Sequence, residues 1–164
     1  MVPADGYLGV YQGTDLSVAG PYTASITSTV AIAVIVNEVA PSSTSAKQST
    51  SYNTFAAGAA SANLALVESS GSDGWSTGEG IMNTAAVTAI IKVSYFDASS
   101  GSAIGTQQSF SVPPDAFVGL YQPSGGLPAG DRATAQVIIS SNGGAVAVIT
   151  NESNSTSFMS YDGQ

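Results

Sequence analysis

Apolar and polar residues alternate along much of this chain, most clearly over residues 86–96. There Val87, Ala89, Ile91, Val93 and Tyr95 share one face, and Thr88, Ile90, Lys92, Ser94 and Phe96 share the other. Residues 103–112 read as its hairpin partner across a turn at 97–101. The same pattern predicts strands over 7–12, 22–28, 30–37, 62–68, 75–83, 132–141 and 145–151. The unbroken apolar run at 30–36 points to a central place in a sheet. Gly78 and Gly80 predict a bulge or a close backbone approach in 75–83. Asn142-Gly143-Gly144 predicts a hairpin joining 132–141 to 145–151. Residues 41–50, 69–74 and 123–130 read as loops. No segment carries a helical period, so the expected fold class is an all-β antiparallel sandwich.

The chain also repeats itself. Val112-Pro-Pro-Asp-Ala-Phe-Val-Gly-Leu-Tyr-Gln122 echoes Val2-Pro-Ala-Asp-Gly-Tyr-Leu-Gly-Val-Tyr-Gln12. Ala145-Val-Ala-Val-Ile-Thr-Asn-Glu152 echoes Ala31-Ile-Ala-Val-Ile-Val-Asn-Glu38, and Ser160-Tyr161-Asp162 echoes Ser51-Tyr52-Asn53. Three matches in the same order, each separated by roughly 110 residues, define an internal repeat. Residues 53–164 then form one complete unit, and residues 1–52 form the C-terminal half of another. The half unit is expected to be completed either within the chain, as one enlarged sandwich, or by a neighbouring subunit. The opening Met1-Val2-Pro3 runs straight into the repeat, as expected of a processed leader or of an excerpt from a longer chain.

Composition narrows the function. Of 164 residues, 43% are apolar but only 9% are charged, against about 25% in ordinary domains. Ser, Thr, Asn, Gln and Gly must therefore supply the polar surface. With 11 acidic and 3 basic residues, the net charge of −8 offers no footprint for nucleic acid. The absence of Cys and His removes thiol nucleophiles, the usual zinc ligands and the usual general base. No cofactor is expected, and a Ser-His-Asp triad cannot be assembled. No apolar stretch approaches the ~18 residues of a membrane-spanning helix. Scarce Lys and Arg beside abundant Ser, Thr, Ala and Gly fit an extracellular or cell-surface protein.

Val-Asn-Glu at 36–38, Tyr52-Asn53-Thr54-Phe55 and Gly74-Trp-Ser-Thr-Gly-Glu-Gly-Ile-Met-Asn83 add a further pointer. Over residues 30–164 the chain resembles the tandem immunoglobulin-like β-sandwich repeats of prokaryotic secreted surface proteins, and similar sandwiches that build extracellular filaments. The resemblance implies a surface or filament role and brings no catalytic residues with it.

Several residues are candidates for particular chemistry. Trp75 is a possible ligand platform or a sheet anchor. Asp5 and Asp115 sit at equivalent positions, for calcium or for turn capping. Asn37-Glu38 and Asn151-Glu152 would suit a Lys–Asn isopeptide bond with Lys47 or Lys92, or would satisfy backbone groups at strand ends. Asn151 and Asn154 begin formal glycosylation triplets. For assembly, the candidate donor or acceptor positions are Val30, Ile32, Val34, Val36, Val146 and Val148, together with the tail 153–164. The leading expectation is a non-enzymatic filament or surface-layer subunit that polymerises with itself, head to tail, by β-strand complementation. The alternative is a carbohydrate-binding or adhesive module in which Trp75, Tyr7, Tyr11, Phe117 and Tyr121 bind glycans.

Overall fold

Ala89, Ile91, Val93 and Tyr95 point inward together and are buried, as their period-two spacing requires. They belong to a computed structural model that describes residues 2–4, 6–15, 22–39, 49–141 and 143–163. A single helical turn, α1, spans Gln12–Asp15. The strands are β1 (Ile35–Val39), β2 (Ser49–Asn53), β3 (Ser61–Glu68), β4 (Ser76–Asn83), β5 (Ala89–Asp97), β6 (Ala103–Val112), β7 (Phe117–Tyr121), β8 (Arg132–Ile139), β9 (Val146–Ser153) and β10 (Phe158–Asp162). A 3-10 turn, Gln122–Ser124, follows β7.

Eight of these strands form two antiparallel four-stranded sheets, ordered β10-β9-β4-β7 and β3-β8-β5-β6. Their inner faces enclose one apolar core, with Leu64, Val67, Ile91, Val93 and Val137 from the second sheet meeting Ile81, Leu120, Val146 and Val148 from the first. Burying each such side chain contributes roughly 1.5–3 kcal/mol. The fold is all-β. Asn83, fully buried at the end of β4, ties the sheets together at one end. Its Nδ2 donates to the carbonyls of Val87 (2.8 Å) and Val112 (2.9 Å), and its Oδ1 accepts the Ala85 N–H at 3.0 Å.

Several expectations are corrected. Residues 132–139 and 146–153 are not a hairpin: β8 pairs with β3 and β5, whereas β9 pairs with β4 and β10. The chain between them crosses from one sheet to the other, so the glycine pair marks a crossover, and Gly144 passes against Ile139. Asn142 itself lies outside the described residues. No bulge interrupts β4, whose register runs unbroken against β7 and β9. Of the two readings of its glycines, close approach is the one found: a Cβ on Gly80 would lie 3.1 Å from Ile149 Cγ2. Register shifts fall instead in β3, between Leu64 and Val67, so that both of those residues turn inward and Leu66 turns out, and in the β5–β6 pairing, between Val93 and Tyr95. The tail is not spare, because residues 158–162 are β10.

The segment before residue 53 behaves differently. Residues 7–11 and 22–28 make no ladder, and the predicted central strand at 30–37 is reduced to β1, paired only with β2. β2 lies along the edge of β10, where the Ser160 N–H donates to Thr50 Oγ1 at 3.1 Å. Thr23, within 22–28, reaches the sandwich by donating from Oγ1 to the Asp115 carbonyl at 2.8 Å. Among the described residues, 2–39 thus do not merge with 53–163 into one enlarged sandwich.

Ile91→Ala should cost about 2–5 kcal/mol by opening a cavity. Ile90→Ala, on the outward face of the same strand, should cost about 1 kcal/mol or less. Urea denaturation of the two variants checks the orientation of β5.

Candidate functional site

Two places carry unusual chemistry: a polar seam inside the sandwich, and the open strands before it. The seam follows from the inward positions of β4, which read Thr77, Glu79, Ile81 and Asn83, all buried. Only one of the four is apolar, so the strand must find polar partners in both directions. On one side the Gln122 side chain, at the first residue after β7, donates from Nε2 to both Glu79 carboxylate oxygens at 2.8 Å and to the Tyr95 hydroxyl at 2.9 Å. Its Oε1 accepts the Leu127 N–H at 3.3 Å. On the other side Thr77 Oγ1 donates to Glu152 Oε1 of β9 at 2.6 Å and accepts the Glu68 N–H at 2.7 Å. Glu68 pairs with Arg132 at the rim, and Arg132 also pairs with Asp73.

Burial pushes the Glu79 carboxyl up to about 7; the Gln122 hydrogen bond opposes this, and the Glu152 charge adds to it. Burial likewise raises Glu152 to about 7, against the Thr77 hydrogen bond, with the Glu68 charge reinforcing it. The Tyr95 hydroxyl is pushed up to about 12, by burial first and the Glu79 charge second. Glu152 Oε2 is buried with no hydrogen-bond partner among the described residues. It lines a pocket of about 230 Å³ with Leu66, Glu68, Asp73, Trp75, Arg132 and Met159.

Trp75 therefore stands beside carboxylates, half-buried at the start of β4. It is not joined by Tyr7, Tyr11, Phe117 or Tyr121: Phe117 and Tyr121 lie on the outer face of the edge strand β7. Asp115 occupies a left-handed turn position (φ 57°), with its N–H donating to the Asn83 carbonyl at 3.0 Å. Asp5 and Lys47 lie outside the described residues. Among the described residues no cluster of three or more metal-ligating side chains occurs. Lys92 lies on the outward face of β5, in the sheet opposite Asn151-Glu152, and Asn37-Glu38 lies on the separate β1–β2 pair, so Lys92 is not placed for an isopeptide bond with either. Asn154 Oδ1 caps the β9–β10 turn by accepting the Thr156 and Ser157 N–H groups, at 2.9 and 2.7 Å. Asn151 lies mid-hairpin.

The second place is the repeated half. β1–β2 and β9–β10 have the same register at all five pairs, from Ile35↔Asn53 and Ile149↔Asp162 to Val39↔Ser49 and Ser153↔Phe158. Each hairpin carries the same cross-strand bond, Ser51 Oγ to Asn37 Oδ1 (2.7 Å) and Ser160 Oγ to Asn151 Oδ1 (2.5 Å). The turns ahead of 7–11 and of β7 match as well: Gly6 N–H donates to the Pro3 carbonyl and Ala116 N–H to the Pro113 carbonyl, at 3.0 and 3.3 Å. Gln12 opens a helical turn where Gln122 does.

Burial separates the two copies. Leu120 is 8% exposed and its counterpart Val10 is 71% exposed; Val146 is 3% exposed and its counterpart Ile32 is 52% exposed. Val146 and Val148 are thus committed to the core, and β9 and β10 are paired within the chain. Val30 and Ile32 remain open, and Val34 and Val36 are half-buried. The seam was missed from sequence, although Gln follows Tyr in both repeats and Glu ends both Asn-Glu pairs. That recurrence was its available signal.

The raised carboxyls give stability a defined pH dependence. Between the ordinary carboxyl value of 4.5 and about 7, the folded state binds more protons than the unfolded state. Their contribution is full below pH 4.5 and is lost as pH rises through 7. The urea midpoint should therefore fall between pH 5 and pH 8. Glu79→Gln, neutral at every pH, should flatten part of that fall and exceed the parent at pH 8.

No protein-family model matches the chain, and no curated protein matches it. The crystal structure of Thermotoga maritima 1070 is similar in fold, with a TM-score of 0.53 at 15% identity, covering 65% of this chain and 94% of that one.

Proposed function

We propose that this protein is a non-enzymatic structural subunit of an extracellular filament or cell-surface layer, built of Ig-like β-sandwich repeats. In it the half repeat at 1–52 joins the complete repeat at 53–164, and strands of a neighbouring subunit cover the half repeat, head to tail. One observation carries the reading: a half that matches β7–β10 in turn, register and cross-strand bonding leaves Tyr7, Leu8, Val10 and Ile32 largely exposed. Exposed strand edges and apolar faces of this kind are what natural proteins cover. Light scattering and electron microscopy of the purified chain should show concentration-dependent, regular assemblies, and Leu8→Ser with Val10→Ser should reduce them to monomers. A parent protein that stays monodisperse at high concentration would overturn the proposal.

A second reading rests on the Trp75 pocket, where an indole ring stands beside Glu152, Asp73 and Arg132. Aromatic and polar groups together suit a sugar ring with its hydroxyls. Glycan-array binding lost in Trp75→Ala supports this reading; an array blank for the parent protein removes it.

A further inference from the structure

We propose that the pocket between the edge strands β3 and β10 binds a small primary amine in its ammonium form, seated against the Trp75 ring with its charge on the Glu152 carboxylate. The inference goes beyond both readings above, because it needs neither a neighbouring subunit nor a sugar.

Strand register builds the site. Met159 of β10 pairs with Glu152 of β9, and Glu152 pairs with Thr77 of β4, so the three form a row on the inner face of the first sheet. Leu66 and Glu68 come from β3 in the facing sheet, and Trp75 sits just before β4. β3 and β10 are the end strands of their sheets. Leu66 is 38% exposed and Met159 is 48% exposed, so the pocket opens to solvent along these two edges. The Tyr161 hydroxyl donates to the Leu66 carbonyl and ties the same two edges together.

Charge selects the ligand. The pocket is lined by three carboxylates, Glu68, Asp73 and Glu152, and by one guanidinium, Arg132. Arg132 pairs with Glu68 and with Asp73, so its charge is already engaged. Glu152 has no such partner. It is 1% exposed, its Oε1 accepts the Thr77 hydroxyl, and its Oε2 has no hydrogen-bond partner among the described residues. A buried carboxylate oxygen in this position is costly until a donor reaches it, and a charged donor offsets more of the cost than a neutral one. An anion would be repelled, and a neutral hydroxyl would bring a hydrogen bond without the countercharge.

The indole points the same way. A cation is attracted to an aromatic face within about 6 Å, and Trp is the strongest of the aromatic partners. Leu66 and Met159 offer an apolar wall for the carbon skeleton, and the unbranched Met side chain adapts to its shape. A bare metal ion fits less well, because Glu68 and Asp73 are turned to Arg132 and no cluster of three or more ligating side chains occurs among the described residues. The volume of about 230 Å³ is below that of a site for a drug-sized molecule, which limits the ligand to a short chain or a single ring.

Trp75 is the only tryptophan of the chain, so its fluorescence reports on this pocket alone. The titration is made at pH 8, above the value of about 7 to which burial raises Glu152. With sodium chloride holding ionic strength constant, n-butylammonium should change the emission saturably and bind about 10-fold more tightly than 1-butanol. Glu152→Gln keeps the shape of the side chain and removes its charge; it should weaken the amine by about 10-fold and leave the alcohol unchanged. In the parent protein the amide resonances of Leu66, Trp75, Glu152 and Met159 should shift with the amine, a readout that depends on no variant. No saturable change, equal binding of amine and alcohol, equal binding by the parent and Glu152→Gln, or shifts confined to other residues would each overturn the proposal. Glucosamine and glucose separate it from the sugar reading. Glucosamine binding without glucose binding supports the ammonium site, whereas equal binding of the two overturns it and leaves the sugar reading standing.

Discussion

Everything in the first sheet depends on β4. A strand cannot satisfy its own backbone, and β4 is the member whose N–H and C=O groups serve β7 on one edge and β9 on the other. Its side chains do the same inside the sandwich. Glu79 engages the turn after β7, Thr77 engages β9, and Asn83 engages the end of β6 and the start of β5. Taking β4 away leaves a β7-type strand with no partner and a β9–β10-type hairpin that stands alone. Residues 7–11, which make no ladder, and β1, paired only with β2, show part of that condition within the same molecule.

A mostly polar inner face on a central strand has a cost. Two of its carboxylate contacts are made by groups that burial drives toward neutrality near pH 7. Replacing such groups by apolar ones is often neutral or stabilising, so their value here lies more in specificity than in stability. A strand that must meet Gln on one side and Glu on the other fits in one register, because a slip by one residue would turn Thr77 and Glu79 outward. The low charge of the chain adds to this. With few surface charges to discourage wrong strand pairings, the seam contributes discrimination from inside.

The edges are handled unequally. β10 is covered by β2, whose Thr50 accepts the Ser160 N–H. Among the described residues β7 is an edge strand with no second ladder partner, and Phe117 and Tyr121 lie on its outer face. The two like hairpins lie side by side, and Burial raises the Glu38 carboxyl pKa there, opposed by hydrogen bonds from Asn151 and Tyr52. A repeat array that stacks its units along this edge would protect β10-type strands at each step.

By itself, the sequence determined the features that depend on near neighbours along the chain. These are the all-β class, the inward and outward faces of β5, the β5–β6 hairpin, and the repeat with its Tyr-Gln and Asn-Glu marks. Period-two alternation and turn residues act over a few positions, so they can be read without knowing the partner. Only the tertiary structure decided which strands meet. It sent β8 and β9 to opposite sheets across a glycine crossover that reads like a hairpin turn. It placed the register shifts in β3 and in the β5–β6 pair rather than in glycine-rich β4, and it buried Val146 and Val148 while leaving Ile32 open and Val34 half-buried. The seam was hidden for the same reason: Thr77, Glu79, Tyr95, Gln122 and Glu152 are separated by 75 residues at the extremes and are joined only when two sheets face each other. Strand pairing is non-local, and a strand's identity rests on the neighbour that completes its hydrogen bonds.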